Sequence, residues 1–282
     1  MKYLSSDDIT SESPKNKNDQ EREPLNLEKS EIKIIEDLSL NAWPSHQMQL
    51  YDGWILRYSS FYTHRTNCVE QIGKSMIPTK EKIRYCEEIY GRWNTPCIFK
   101  ITPLVDPAFD EMLEKRGYEV QHATTVMQMG IAPAEYTEDR KIPEQVRICV
   151  ENRISDEWID ALFTIKGDCT VIHMKIVPSM YAAIPKDVIC VSARVGRKII
   201  ATGLGILDRD YIGIYAINVD KRYRRLGIAR RICGTLLMEG SRAGAERAYL
   251  QVVSDNEKAI RLYRSLGFSA QYDYWFRVKE IE

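Results

Sequence analysis

Long apolar segments are missing from this 282-residue sequence. No uninterrupted apolar run approaches the roughly 20 residues that span a bilayer. The N-terminal stretch MKYLSSDDIT also lacks the apolar core of a signal peptide. We therefore expect no membrane partner and a cytoplasmic location.

A net charge is missing as well, because 40 Lys and Arg residues balance 40 Asp and Glu residues. A chain without an overall field is not steered toward nucleic acid or anionic lipid, so any electrostatic site must be local. We expect no nucleic-acid partner. An RNA-binding basic loop is the weaker hypothesis, because the sequence has no evident aromatic–basic face.

Metal and disulfide motifs are missing too. The seven cysteines are scattered and odd in number, without a C-x-x-C pair, which argues against a disulfide framework and a zinc cluster. The four histidines, His46, His64, His122 and His173, are isolated in the sequence and form no H-E-x-x-H motif. We expect no metal.

Composition divides the chain into three parts. Residues 10–24, TSESPKNKNDQEREP, carry no aliphatic or aromatic side chain. Residues 1–30 are therefore predicted to be a disordered tail that cannot repay its ordering entropy. The polar, proline-containing stretch APAEYTEDRKIPEQ is predicted to be a linker. It separates a first domain, residues 31–140, from a second domain, residues 141–282.

Strands and helices alternate in the second part. KIIATGLGILD and YIGIYAINV are predicted strands, and the second is apolar on both faces, so it should lie inside its sheet. A helix over about residues 227–242, the strand RAYLQVV, the helix NEKAIRLYRSL and the strand AQYDYWFRV follow. The first part repeats the final strand–helix–strand order, with Gly-Tyr at 117–118 where the second has Gly-Phe at 267–268. This weak repeat favours a duplication.

The stretch VDKRYRRLGIARRI, residues 219–232, places six basic side chains around one glycine where a helix begins. Cations are disfavoured at a helix N-terminus because the macrodipole is positive there, so we infer that an anion completes the site. Gly227 has no side chain, which lets the turn amides approach a phosphate. Two rival phosphate motifs fail: CVEQIGKS has Cys68 where a P-loop needs glycine, and GLGILD has Asp208 where a dinucleotide fingerprint needs glycine.

These features resemble the GNAT superfamily of acyl-CoA N-acyltransferases. The R-x-x-G-x-A loop (Arg224, Gly227, Ala229) and the downstream N-x-x-A-x-x-L-Y-x-x-x-G-F carry the resemblance, which is strong over about residues 188–278. It implies an α/β fold with a mixed sheet whose central strands splay apart, acetyl-CoA as co-substrate and an amine acceptor. It also implies two GNAT-like domains in tandem, the first a degenerate copy suggested by GWILRYSSFYTHRTN.

The resemblance further implies roles for ten residues. Tyr263 would protonate the departing thiolate, although the same ring could simply pack against the sheet. The other nine would bind the coenzyme: two strand backbones for the pantetheine arm, a loop for the pyrophosphate, and an asparagine that is also a natural helix N-cap. They are, in that order, Ile217 and Val219; Arg224, Arg225, Leu226, Gly227, Ile228 and Ala229; and Asn256.

The resemblance leaves the proton acceptor unidentified. Many relatives place a glutamate on the central strand, but YIGIYAINV has no carboxylate. Asp168, His173 and Tyr215 are candidate substitutes, as are water and a residue of the first part. Four residues of the first part are candidates for the acceptor side, although the tryptophan among them could belong to the core: Trp54, Arg57, Arg65 and Asn67. An N-acetyltransferase and a non-catalytic acyl-CoA-binding sensor both fit, and the oligomeric state stays open.

The first part lacks the coenzyme-binding features. EQIGKSMIPTK stands where the R-x-x-G-x-A loop would be, and Leu113 stands where Tyr263 would be. We therefore expect one coenzyme A per chain, bound by the second part. The first part would bury the sheet edge of its partner or wall the acceptor pocket.

Overall fold

The computed structural model describes residues 28–131, 142–167 and 169–281. Most of the predicted tail, most of the predicted linker and Asp168 lie outside the described residues. The first helix begins at Lys29, so it takes in the last two residues of the predicted tail. Its apolar stripe of Ile32, Ile35 and Leu38 is buried in a core that it shares with the sheet.

The first described stretch contains three helices and five strands. They are α1 (Lys29–Ala42), β1 (Gln47–Tyr51), β2 (Trp54–Tyr58), β3 (Val69–Gln71), α2 (Thr79–Arg92), β4 (Cys97–Ile101), α3 (Pro107–Lys115) and β5 (Glu119–Gly130). The turn at Asp52-Gly53 joins β1 to β2, which pair in antiparallel register.

The remaining described residues form four helices and six strands. They are β6 (Val146–Glu151), α4 (Asp156–Lys166), α5 (Val171–Ala182), β7 (Val188–Val195), β8 (Lys198–Asp208), β9 (Tyr211–Val219), α6 (Ile228–Arg242), β10 (Arg247–Val253), α7 (Glu257–Arg264) and β11 (Ser269–Lys279). Helices α4 and α5 were not predicted from the sequence. Among the described helices, none is both long and apolar enough to cross a membrane.

All the strands of the described residues belong to one mixed sheet. Its order is β1-β2-β3-β4-β11-β5-β10-β9-β8-β7-β6, which confirms the predicted mixed α/β fold. β9 lies between β8 and β10, so the interior position predicted from its two apolar faces is also confirmed.

The last strands of the two repeats are exchanged. β5, which ends the first repeat, is antiparallel to β10 of the second. β11, which ends the second repeat, is antiparallel to β4 of the first, and β5 and β11 pair with each other. The sheet therefore runs without interruption through both parts of the chain, and each part supplies ladder hydrogen bonds to the other.

Helix α6 packs closely on β8. At Gly203 a Cβ atom would lie 2.3 Å from Cγ2 of Ile232, so only glycine fits beneath the helix without a shift. Ile232, Leu236 and Leu237 form a fully buried stripe of α6. This contact fixes the helix, and with it the basic loop at its N-terminus, against the second half of the sheet.

A buried ion cluster joins α1, β2, β3 and β4. The Lys100 ammonium contacts the carboxylate of Glu36 and lies 3.6 Å from that of Glu70. The Arg57 guanidinium lies 3.4 Å from Glu70. All four side chains are at most 8% exposed. Removing one member leaves an uncompensated buried charge, which costs more than the intact pair contributes.

Lys100→Met should therefore lower the free energy of unfolding by about 3–5 kcal/mol. Lys115→Met is the matched control, because it breaks a pair with Glu111 whose side chains are 77% and 66% exposed. Such a surface pair contributes about 0–1 kcal/mol. Urea unfolding of the two variants measures the difference, and equal losses of stability would contradict the structural role of the cluster.

Candidate active site

Strands β9 and β10 pair over only part of their length. Their parallel ladder extends no further than the pair Ile214–Leu250, while β9 continues to Val219 and β10 to Val253. Beyond that last pair the two strands share no ladder. The sheet is thus split at the pair of strands where the family resemblance implied a splay.

A bulge in β9 coincides with the split. Ala216 has a φ of 51°, in the left-handed region, and the register with β8 shifts between Thr202 and Leu204. The Thr202 hydroxyl donates to the Ala216 carbonyl at 3.0 Å and holds the bulge in place. A bulge bends its strand, which directs the end of β9 away from β10.

The first cavity, named here the cationic cleft, has a volume of about 700 Å³. It lies between the end of β9, the loop before α6, the first turn of α6 and helix α7. Leu226, a predicted coenzyme residue, is 41% exposed and does not line the cleft. The other nine residues predicted for coenzyme binding or acid catalysis do line it: Ile217, Val219, Arg224, Arg225, Gly227, Ile228, Ala229, Asn256 and Tyr263.

Cations dominate the charge of this cleft. Among the described residues that line it there is no carboxylate. Arg230 is fixed by a hydrogen bond from Nη1 to the Ser265 carbonyl at 3.0 Å. Three of the five cations were not predicted as site residues: one belongs to the basic stretch noted at residues 219–232, and helical spacing places the other two on α7 beside Asn256. The five are Arg224, Arg225, Arg230, Lys258 and Arg261.

The loop before α6 has the backbone of an anion site. Arg225 and Gly227 are both left-handed, with φ of 68° and 80°. Successive amides in such a turn can face one side. Gly227 is the N-cap of α6 and no side chain caps the helix, so the first-turn amides of Ile228 and Ala229 have no intrahelical acceptor. Together with the helix macrodipole, these amides favour a phosphate.

Arg224 connects this loop to the strand. Its Nε donates to the Val219 carbonyl at 3.1 Å. The Val219 backbone is expected to bind the pantetheine arm, and Arg224 is expected to bind the pyrophosphate. The hydrogen bond between them therefore occupies the Val219 carbonyl and links the two expected binding regions. Ile217, the other backbone, follows the bulged Ala216 directly.

Helix α7 places Asn256 and Tyr263 at the cleft. The Asn256 side chain accepts a hydrogen bond from the Ala259 amide at 3.2 Å, so its capping role is present in the structure. The Tyr263 ring is half-buried, with its centroid 6.0 Å from that of Phe268. Burial raises the pKa of Tyr263 well above its usual range. The hydroxyl therefore keeps its proton at neutral pH and can serve as a donor.

The second cavity, named here the histidine pocket, has a volume of about 600 Å³. Its walls come from both parts of the chain: the C-terminal end of α1, the loop between β2 and β3, β5 and β11, together with α4, α5, β8, β9 and the end of β10. Asn218 lines both cavities. The cationic cleft and the histidine pocket therefore meet at the splayed end of β9.

The four residues predicted for the acceptor side are not all in this pocket. Arg65 lines it. Trp54 is 2% exposed and packs in the core, the alternative that the sequence left open. Arg57, on β2, and Asn67, within the β2–β3 loop, are buried: Arg57 Nη1 donates to the Arg65 carbonyl at 2.7 Å and Asn67 Oδ1 accepts from the Ser59 amide at 2.6 Å. These two residues support the loop.

Of the three candidate proton acceptors, His173 and Tyr215 lie within the described residues. Asp168 lies outside the described residues. His173 packs its ring 5.3 Å from that of Tyr62 and does not line the pocket. Tyr215 lines the pocket, but burial raises its pKa well above the usual range, and its hydroxyl shares a hydrogen bond of 2.6 Å with Tyr249. Its hydroxyl is already protonated at neutral pH, so Tyr215 cannot accept the proton of the amine.

Two histidines that the sequence separates meet in the pocket. The ring centroids of His64 and His122 are 4.5 Å apart in an edge-to-face arrangement. His122 lies at a bulge in β5 with a φ of 51°, and His64 Nε2 lies 3.3 Å from Oε1 of Gln121. Burial, and then the nearby His122, lower the pKa of His64 below its ordinary 6.5. The pair was missed because no local pattern brings its two residues together.

The corresponding loop of the first part already holds an anion of the protein itself. The Asp52 carboxylate accepts hydrogen bonds from the amides of Met76, at 2.9 Å, and Ile77, at 2.8 Å. Lys82 lies 3.4 Å from the same carboxylate. Leu113, the counterpart of Tyr263, is fully buried. The amides just before α2 therefore have a side-chain acceptor, whereas no side chain of the described residues caps α6.

No group of three or more His, Cys, Asp or Glu side chains in the described stretches is placed to hold a metal ion. The cavities are lined instead by cations, aromatic rings and backbone groups. Their arrangement suits the binding of an anionic ligand in one cavity and proton transfer in the other.

Comparison with known proteins identifies relatives of this chain. Residues 29–277 match the family described as "Probable histone acetyltransferase Rv0428c C-terminal". The chain is 24% identical over 250 residues to the "Uncharacterized N-acetyltransferase YobR" of Bacillus subtilis (strain 168), covering 88% of this chain and 99% of that relative.

Two solved structures share the fold. A GCN5-related N-acetyltransferase from Kribbella flavida superposes with a TM-score of 0.65 at 16% identity, over 88% of this chain and 95% of that one. A tandem GNAT protein from the clavulanic acid biosynthesis pathway, solved without acetyl-CoA, gives 0.63 at 10% identity, over 88% of each chain.

Isothermal titration of the chain with acetyl-CoA should give a stoichiometry near one, because Asp52 fills the counterpart site. Gly227→Glu should weaken binding by about 100-fold or more, since a carboxylate a few ångströms from a phosphate costs several kcal/mol. Gly244→Glu is the matched control: its φ of 94° imposes similar backbone strain, but the site lies beyond the other end of α6. Two sites per chain, or one that survives Gly227→Glu, would refute the assignment.

Proposed function

We propose that this chain, which belongs to the Rv0428c C-terminal acetyltransferase family and has the GNAT fold, moves an acetyl group from acetyl-CoA to a primary amine of a small molecule or peptide by direct transfer. The observation that carries the proposal is the meeting of two unlike cavities at the splayed end of β9. One is a cationic cleft at the N-terminus of α6, and the other contains a histidine pair.

The cationic cleft suits coenzyme A. The amides of residues 225–229 and the Arg224 guanidinium would bind the pyrophosphate. The backbones of Ile217 and Val219, with Asn256, would hold the pantetheine arm. An arm held along the end of β9 directs the thioester toward Asn218, where the cleft meets the histidine pocket.

The residues around this junction supply the proton transfers. The amine nitrogen bonds to the acetyl carbon, the carbon–sulfur bond breaks, and the departing thiolate takes the proton of the Tyr263 hydroxyl. The nitrogen gives up a proton, for which His64 is the proposed acceptor. In the tautomer whose Nε2 donates to Gln121, the Nδ1 lone pair of His64 is available.

A non-catalytic acyl-CoA sensor is the competing function. A sensor would need the cationic cleft but would not need the histidine pocket. The presence of the histidine pocket beside the cleft therefore favours catalysis. Release of coenzyme A thiol from acetyl-CoA, followed with a panel of amines and with product masses recorded, distinguishes the two. An enzyme releases thiol only when an amine is present, whereas a sensor binds acetyl-CoA and releases none with any amine.

Tyr263→Phe should spare acetyl-CoA affinity and lower kcat by about 100-fold, the usual range for losing a general acid. Tyr223→Phe is the matched control, since Tyr223 lines the same cleft but lies before the phosphate loop. Single-turnover kinetics with both variants separate binding from chemistry. An unchanged chemical step in Tyr263→Phe would remove this residue from the mechanism.

The pH dependence of kcat/KM should identify the proton acceptor. The folded-state pKa of His64 is lowered, so its neutral form predominates at pH 7 and is lost only as the pH falls through that pKa, below 6.5. Protonation of the amine alone gives log kcat/KM a slope of about one, and His64 should steepen it to about two on the acid side.

In His64→Gln the acid-side slope should return to about one, with kcat/KM at pH 7 lowered about 100-fold. His173→Gln is the control and should keep the wild-type profile, because His173 does not line the pocket. The groups that face His64 are His122, Gln121, Arg65 and the Phe276 ring. A profile unchanged by His64→Gln would assign the proton to water or to another residue.

A further inference from the structure

Arg65 is a positioned cation in the histidine pocket. Its Nε donates to the Tyr274 hydroxyl at 2.7 Å, and Tyr274 donates onward to Oε1 of Gln251 at 2.8 Å. Arg65 forms no ion pair with a carboxylate in the described stretches of the chain. A half-buried guanidinium without a counter-ion carries a desolvation cost that a bound anion would offset.

The backbone that carries Arg65 is held from below. Arg57 donates to the Arg65 carbonyl at 2.7 Å. Asn67 accepts from the Ser59 amide and donates to the Thr63 carbonyl, each at 2.6 Å. A cation whose backbone and Nε are both fixed in this way loses little freedom when it binds an anion.

The other groups that line the histidine pocket also favour an anionic ligand. Lys166, His64 and His122 add cationic or titratable groups, and no Asp or Glu is found among the described residues that line the pocket. The rings of Trp43 and Tyr181, with centroids 5.0 Å apart, provide apolar surface. Such a lining repels polycations and accommodates an apolar body that carries a negative group.

We propose that the acceptor is an amine that also carries an anionic group, a carboxylate or a phosphate, and that Arg65 binds this group with its guanidinium. The proposal rests on the proposed function, because it names the acceptor class of the same reaction. With the anion on Arg65, the amine lies in the pocket that contains the neighbouring His64. A lysine-rich tail or a polyamine is disfavoured, since it would add positive charge to a cationic pocket.

The test compares matched amines with and without the anion. L-Phenylalanine is paired with phenethylamine, and O-phosphoethanolamine with ethanolamine, while spermidine represents the polycations. Binding to the full chain saturated with coenzyme A is measured by isothermal titration, and thiol release from acetyl-CoA is measured separately. We expect the anionic member of at least one pair to bind about tenfold or more tightly, as a charge-assisted guanidinium contact gives. The responding pair distinguishes carboxylate from phosphate.

Arg65→Gln should reduce that preference to less than about threefold while leaving acetyl-CoA affinity unchanged, which also verifies that the variant is folded. Arg65→Lys, which keeps the charge but loses the planar fork, should retain part of it. Arg242→Gln is the control, because Arg242 is exposed on α6, pairs with Glu239 and lines neither cavity.

The outcomes separate the two proposals. The acceptor class is overturned if neither pair shows the preference, or if the preference persists in Arg65→Gln. It is also overturned if spermidine binds more tightly than the anionic amines. An Arg65-dependent preference without thiol release supports the ligand class and contradicts acetyl transfer. Thiol release with no preference for the anionic amines supports acetyl transfer and contradicts the role of Arg65.

Discussion

The end of the parallel ladder at Ile214–Leu250 is the constraint on which the rest of the site depends. A sheet that stayed paired beyond this point would leave no room for a pantetheine arm along the end of β9. The left-handed backbone at Ala216, held by Thr202, prevents continued pairing. Left-handed backbone at a non-glycine residue costs about 1–2 kcal/mol. The packing of α6 on β8 and the hydrogen bonds of the exchanged strands stabilise the surrounding sheet enough to retain it.

The two repeats have taken different roles within one sheet. In the second, no side chain of the described residues caps α6 and cations surround its first turn, whereas in the first, Asp52 accepts hydrogen bonds from the amides just before α2. The first repeat instead contributes the β2–β3 loop and β5, which carry His64, Arg65 and His122 into the pocket beside the splay. Because β5 lies against β10, strand exchange brings these residues to the second repeat. This arrangement supports one coenzyme site per chain with an acceptor wall from the other repeat.

The sequence predicts those parts of the site that are local in the chain. The loop at residues 224–229 and helix α7 are short segments whose glycine, arginine and asparagine spacing reflects the geometry they adopt. The interior position of β9 follows from its apolar pattern. The histidine pair could not be predicted, because it depends on the exchange of β5 and on a bulge at His122 that has no distinctive sequence. Arg57 and Asn67 have residue types suited to binding, but burial makes them supports of the loop.

Hydrogen–deuterium exchange with and without acetyl-CoA tests the central claim most directly, because it locates the coenzyme on the backbone. Our account predicts slower exchange in two segments, residues 217–219 and 225–229, which line the cationic cleft except at Leu226. It predicts no change at Met76 and Ile77, whose amides are bonded to Asp52. Protection at Met76 and Ile77, or none at residues 225–229 while acetyl-CoA is bound, would contradict a single coenzyme site at the splayed strands of the second repeat.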